Sequence, residues 1–337
     1  MSSNNEVPKF GILKPTSVAD AVSMLSQYGP QARILSGGTD LLSQMKNGIA
    51  ALTPKYTVDI SGLGLDSLTF SQSDGLRIGA TTTVRTIASD PNVNQYFAAL
   101  AQAAITVASP QIRNQATAAG DISQEVWCWY LRNNYDCWRN GGNVCYGAVG
   151  DNRYYHTIFG GRECYAVHAG DTTTAYFAMN ADVTIMGPNG QTNMPISQFM
   201  PGISIVDGRV KENILYPNEI ITEIHVPTPK SNTKSAFYKV RNRQSFDFAL
   251  ASAAAQLTFN GSTISEAHLV LGAVANTPHR ATSAESYLVG NQLTASVIAE
   301  AAAKAVEGAQ PLTEGTGNAF RVFLAQGAVT KALESLS

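Results

Sequence analysis

Apolar residues recur at helical spacing from Ser17 to Tyr28 (SVADAVSMLSQY), which predicts an amphipathic helix with Thr16 or Ser17 as its N-cap. A short apolar strand, Ala32 to Leu35, follows and is closed by Ser36-Gly37-Gly38-Thr39-Asp40. Leu41 to Lys46 reads as helix and Lys55 to Ile60 (KYTVDI) as strand, so the glycine pair falls in a strand-to-helix turn. Leu76 to Ala80 reads as strand, Val84 to Ser89 as helix, and Ala98 to Val107 as a helix of small residues. A second glycine-bearing turn, Thr117 to Asp121, comes next. Thr172 to Met179 reads as helix; Asp182 to Met186 and Glu219 to Val226 read as strands.

Pro227-Thr228-Pro229 opens a polar stretch to Lys234, which marks a domain boundary. Beyond it, Ala236 to Val240, Ala249 to Phe259 and Ala267 to Val274 predict strands. Ala284 to Leu288, Ala295 to Val306 and Ala319 to Leu336 predict helices. The expected division is a domain over 1–230 and a second over 231–337, in line with a 337-residue chain being too long for one ordinary domain. No internal repeat is visible.

Charged residues make up only 14% of the chain, against roughly 25% in typical soluble domains. Such a composition fits broad contacts with other chains, or simply a neutral sequence rich in Ala, Gly, Ser and Thr. The net charge is −2, the pI is about 6.2, and no basic run occurs, which sets nucleic-acid binding aside. The opening MSSNNEVPKFGILKP lacks a basic segment followed by an apolar one, and no run of about 18 apolar residues exists. A soluble chain is expected, cytoplasmic or carried to the periplasm by a partner.

All four cysteines, Cys128, Cys137, Cys145 and Cys164, fall in one window rich in Trp, Tyr, Asn, Gly and Arg. Cysteines serving only as small core residues would be scattered, so this set reads as one site. Four thiolates suit a structural zinc or an iron–sulfur cluster. Zinc sites of this kind usually carry close C-x2-C pairs, whereas the gaps here are eight, seven and eighteen residues. The long gaps favour a cuboidal cluster wrapped by a loop. Trp127, Trp129, Tyr130 and Trp138 would shield it, and Arg132, Arg139 and Arg153 would balance its charge. Two disulfides remain an alternative in an oxidising compartment.

The first glycine turn lets backbone N–H groups approach an anion, but it is neither a G-x-G-x-x-G nor a P-loop signature. An ordinary turn is the competing reading, for it and for Thr117 to Asp121. His156, His168, His225, His268 and His279 are scattered and read as structural. The insert's Tyr and Trp residues read as packing. No nucleophile–base or metal–His pattern is present.

Taken in order, SGGTDLL, IGATTTV, SPQIRNQATAAGDIS, HAGDTTTAYFAMNADVTI and the stretch Lys239 to Arg243 resemble the FAD-binding medium subunit of the molybdenum hydroxylases. That family includes xanthine dehydrogenase, aldehyde oxidoreductase, carbon monoxide dehydrogenase and 4-hydroxybenzoyl-CoA reductase. The four-cysteine insert is similar to the subfamily with an extra [4Fe–4S] cluster. GGNVCYGAVGDNRYYHTIFGGRECYAVHAGD looks closest to the aldehyde oxidoreductase version. The resemblance implies an α+β protein: a two-subdomain α/β FAD domain of the PCMH/vanillyl-alcohol-oxidase type, then a small α+β C-terminal domain. The subdomains would span about 1–60 and 61–230, with the cluster insert at about 124–168.

The resemblance also implies roles. Ile34, Leu35, Ser36, Gly37, Gly38, Thr39, Asp40 and Leu41 would cradle the FAD pyrophosphate. Thr117, Gly120, Asp121 and Ser123 would line the second phosphate and the ribityl wall. Asp171 would hold the cofactor's hydroxyls, Lys239 would lie near the isoalloxazine, and Ala80 and Leu215 would complete the site. Cys128, Cys137, Cys145 and Cys164 would bind the [4Fe–4S] cluster. The second turn departs from the family's T-x-G-G-N in carrying Ala119 and Asp121, an unfavourable carboxylate beside a pyrophosphate. Substrate chemistry, aldehyde oxidation on this resemblance, would occur at a molybdenum cofactor on a large partner subunit. Electrons would pass through [2Fe–2S] clusters on a small subunit to FAD and an external acceptor. A 4-hydroxybenzoyl-CoA reductase-like or N-heterocycle hydroxylase complex is the alternative, and a zinc-stapled interaction subunit the non-redox one.

Overall fold

A computed structural model describes residues 6–337. The first five residues, where the segment read for an export signal begins, lie outside the described part. The opening lobe is a parallel three-stranded sheet of β1 (Gly11–Leu13), β2 (Ala32–Leu35) and β3 (Tyr56–Asp59), with β3 central. The helix Val18–Tyr28 covers it, burying Ala21, Val22 and Leu25 against Val58 and Ile60. Ser17 caps this helix by accepting from Asp20 N at 3.1 Å, and the Asp20 carboxylate accepts from Thr16 N at 2.9 Å.

The second sheet is antiparallel. It is built from β4 (Leu68–Ser71), β5 (Gly75–Gly79), β6 (Asp182–Gly187) and β7 (Gly190–Pro195), joined by β10 (Ile220–Val226), which inserts between β5 and β6. Before β10 the chain makes a small separate hairpin, β8 (Ser204–Val206) and β9 (Arg209–Lys211). The helices Val84–Ser89, Ala98–Thr106 and Asp171–Ala178 share this sheet's core with Leu76, Ile78, Val183 and Ile224.

The third sheet orders β11 (Thr233–Val240), β12 (Ala251–Asn260), β13 (Thr263–Gly272) and β14 (His279–Arg280), all antiparallel. β12 reads ASAAAQLTFN, a poor strand by propensity. The packing explains it. The long helix Phe320–Glu334 packs against β12, and so does Asp171–Ala178. Ala251, Ala253, Ala254 and Ala255 are fully buried, and only small side chains let helices approach so closely.

One expectation needs correction, and several short elements were not foreseen. The second glycine turn is not a free turn: Ala118–Ser123 is a short helix with Thr117 at its N-cap position. The exposed polar strand β7 and the short β1, β4, β8, β9 and β14 carry no periodic apolar signal and were not expected. Among the described residues no helix is long and apolar enough to cross a membrane.

Candidate functional site

β2 delivers the first glycine turn to the edge of a cavity of about 350 Å³. Gly38 sits at φ +72°, where a side chain is strained. Gly37 has a different reason: an added Cβ would stand 1.8 Å from the carbonyl oxygen of Gln115. The first turn therefore rests directly on the loop that leads to the second. A 3.0 Å hydrogen bond between the Ser36 and Thr117 hydroxyls locks the two together. Among the described residues, the amides of Gly37, Gly38 and Thr39 meet no protein acceptor. Unpaired backbone donors around a cavity are costly unless something accepts from them, and a pyrophosphate would.

The glycine requirement at Gly38 is thus conformational as well as one of access. Gly38→Ala is expected to cost about 1–2 kcal/mol in backbone strain, with its Cβ at 3.2 Å from both Leu35 and Leu42. FAD content should fall with little loss of secondary structure. Flavin occupancy and circular dichroism on the same preparation measure both; unchanged occupancy would reduce the turn to a turn.

The cavity floor is polar and buried. Lys239 Nζ bonds Asp171 Oδ2 at 2.5 Å and donates to the Thr106 carbonyl at 3.1 Å. Burial raises the Asp171 carboxyl, while Lys239 draws it back down. Asp121 accepts from the hydroxyl and amide of Thr172 and from Gln124 Nε2 at 2.8 Å. Burial pushes its pKa up to about 6. The Asp121 carboxylate is thus turned onto the protein's own donors.

Of the residues expected to bind the cofactor, the cavity wall gathers Ile34, Ser36, Gly37, Gly38, Thr39, Asp40, Leu41, Thr117, Gly120, Asp121, Ser123, Asp171, Leu215 and Lys239. Leu35 and Ala80 do not line it. Leu35 lies beside the space a Gly38 side chain would take, and Ala80 is buried in the second sheet's core, its amide bonded to Thr222 and its carbonyl to Ala119. Two lining side chains are already engaged. Asp40 accepts from Gln44 Nε2 (2.7 Å) and the Glu125 amide (2.8 Å) and pairs with Arg132 (2.8 Å). Ser123 donates to the Ala119 carbonyl at 2.5 Å.

The wall also contains residues that were not expected. Arg33, Arg209 and Lys211 bring three cations to it. Burial and the neighbouring Arg33 push Lys211 down to about 8. Trp127 and Phe248 stack with ring centroids 4.7 Å apart, and the Arg132 guanidinium lies 4.5 Å from the Trp127 ring centre. Arg33 comes from β2, Arg209 and Lys211 from the β8–β9 hairpin, and Trp127 and Phe248 from loops, so no single sequence period announces their common direction.

The cysteine insert packs beside this cavity around Val126, Leu131, Ala166 and Val210. All four thiols are free, and Cys128, Cys137 and Cys164 are buried. Cys145 acts electrostatically on each of the other three. Burial pushes Cys128 up to about 12 and Cys164 up to about 11, so metal binding here would have to displace protons. Arg139 Nε donates to Cys164 Sγ at 3.1 Å, and Cys128 Sγ lies 3.4 Å from His156 Nε2. Among the described residues no three His, Cys, Asp or Glu side chains are placed to grip one metal ion. That leaves both metal readings of the four cysteines, the [4Fe–4S] cluster as well as the zinc, without a preformed ligand group.

A cavity framed by two interlocked glycine turns, with unpaired amides on its wall, defines a nucleotide-cofactor-carrying subunit. The family described as the FAD binding domain in molybdopterin dehydrogenase matches residues 8–229, and the CO dehydrogenase flavoprotein C-terminal domain matches 236–336. The aldehyde oxidoreductase FAD-binding subunit PaoB of Escherichia coli (strain K12) is 34% identical over 79% of this chain and 82% of its own length. The carbon monoxide dehydrogenase medium chain of Hydrogenophaga pseudoflava is 28% identical over 97% of each chain. A solved carbon monoxide dehydrogenase structure from that organism superposes with a TM-score of 0.76, covering 98% of each chain at 28% identity. The chain belongs to the FAD-binding subunits of the molybdenum hydroxylase family, and is an oxidoreductase subunit.

Proposed function

We propose that this chain is the FAD- and [4Fe–4S]-carrying electron-transfer subunit of a molybdenum-dependent aldehyde-oxidising complex. It would work with a large molybdenum-cofactor subunit and a small [2Fe–2S] subunit. The observation that carries the flavin half is the meeting of the two glycine turns over one cavity, through Gly37 against Gln115 and Ser36 against Thr117. Bound flavin would supply one- and two-electron exchange, and the cluster one-electron storage. The chain's own residues bind and orient. The amides of Gly37 to Thr39 would hold the pyrophosphate, Asp171 and Lys239 would face the buried end, and Trp127 and Phe248 would form an apolar wall.

Four cysteines in one insert, of which Cys128, Cys137 and Cys164 are buried in a single cluster of side chains, supply the donor set of a cuboidal cluster and support the iron–sulfur half. A cuboidal cluster spreads its ligands farther apart than one ion does. The aldehyde assignment is supported by the likeness to the aldehyde oxidoreductase subunit.

The test uses the co-expressed complex. Iron and flavin assays on this subunit should give about one FAD and four irons per chain. Cys137→Ser should lower iron and leave FAD in place. Anaerobic aldehyde should bleach the flavin in the complex and not in the isolated subunit. Bleaching only by aromatic N-heterocycles would replace the substrate class, and rapid bleaching of the isolated subunit would overturn the electron-transfer role.

A further inference from the structure

Arg139 follows Cys137 on the one-turn helix Trp138–Asn140 and is almost completely buried. A guanidinium offers five N–H donors in a rigid fork, and here the fork reaches in two directions. On one side Nε donates to Cys164 Sγ at 3.1 Å. On the other, Nη1 donates to Glu125 Oε1 at 2.7 Å and Nη2 pairs with Glu212. Both carboxylates line the flavin cavity. The Glu125 amide also donates to Asp40 Oδ2 at 2.8 Å, so the same unit grips the first glycine turn. Burial works against the Glu125 charge, but Arg139, Arg132 and Arg33 more than offset it and hold the carboxyl below its ordinary range.

Resting on the flavin and cluster reading above, we infer that Arg139 is a positioning residue that joins the cysteine pocket to the flavin cavity, so that charge on either centre is felt at the other. A staple that only folded the insert would need neither a sulfur nor two cavity carboxylates. Hydrogen bonds to ligand sulfur stabilise the more negative, reduced state of a cluster and raise its potential. The same guanidinium offsets the negative charge that Glu125 presents to the cavity and opposes the burial that raises the Glu212 carboxyl, which makes flavin reduction easier. One side chain therefore biases both centres in the same direction.

The experiment is a potentiometric titration of the intact complex, with the cluster followed by EPR and the flavin by visible absorbance. Arg139→Gln should lower both potentials together. Glu125→Gln removes a carboxylate and keeps the guanidinium on the sulfur, so it should raise both. Arg153→Gln removes an exposed cation of the same insert, paired with Asp151 and lying over the Tyr154 ring, and should move neither. Iron and flavin content are measured on each variant. If Arg139→Gln does not fold or loses its iron, Glu125→Gln decides alone. Unchanged potentials in a fully loaded variant, or movement of one centre only, would overturn the inference. Wild-type complex without iron on this subunit would instead sink the cluster reading on which it rests.

Discussion

Lys239→Ala is expected to lower the melting temperature of the subunit by about 10 °C and to empty the flavin site. The ammonium and the Asp171 carboxylate are both almost fully buried and 2.5 Å apart. Removing one member of such a pair strands the other, at a cost of about 3–5 kcal/mol. In a domain of this size each kcal/mol moves the midpoint by about 2–4 °C. Breaking a buried pair is costly, yet replacing both members with apolar groups of similar volume is often neutral. Asp171→Leu with Lys239→Met should therefore melt near the wild type. If the pair exists to hold the cofactor, that double variant stays folded and carries no FAD. Full FAD occupancy in the stable double variant would make the pair purely structural. Scanning calorimetry and flavin absorbance on the two variants settle the matter.

The local order of the chain was legible because it rests on short-range signals. Ser17 and its helix, the strand Ala32–Leu35 before two glycines, and the helix Val84–Ser89 follow from periodicity and turn chemistry that any neighbour would respect. The strand ASAAAQL was readable from its apolar run, but the reason for its alanines was not, since only the two packed helices supply it. The site was legible through ordered motifs rather than spacing. Motif position could not show that Leu35 and Ala80 face away from the cavity, because a residue within a motif need not point the way its neighbours do. The cations Arg33, Arg209 and Lys211 were hidden for a related reason. They sit on a strand and a hairpin far apart in sequence, and only tertiary packing brings them to one wall. Arg139 was expected only as one of several charges near the thiols; its reach to Glu125 and Glu212 depends on β9 and its neighbours folding back onto the insert.

The departure of the second turn from the family's T-x-G-G-N leads to a pH-dependent prediction. Asp121 stands where asparagine is usual, and its carboxyl moves from an ordinary 3.8 to about 6, chiefly by burial, with the Thr172 hydrogen bond opposing the rise. An acid whose folded-state pKa is raised binds more protons folded than unfolded between the two values. Its stability contribution therefore falls as pH rises from about 4 to about 6 and is flat beyond. The ionised carboxylate then costs about 3 kcal/mol at pH 7. Asp121→Asn removes that cost but gives up one acceptor facing Thr172 or Gln124, worth about 1 kcal/mol. The variant should be about 2 kcal/mol more stable than the wild type at pH 7 and about 1 kcal/mol less stable near pH 4. The two stability curves should cross between those values. A bound pyrophosphate adds negative charge near the same carboxyl and should widen the gap at pH 7, so the crossing is measured by denaturant unfolding with and without FAD. A stability difference that stays constant from pH 4 to pH 7 would mean that Asp121 keeps its ordinary ionisation, and that the hydrogen bonds from Thr172 and Gln124 fully offset its burial.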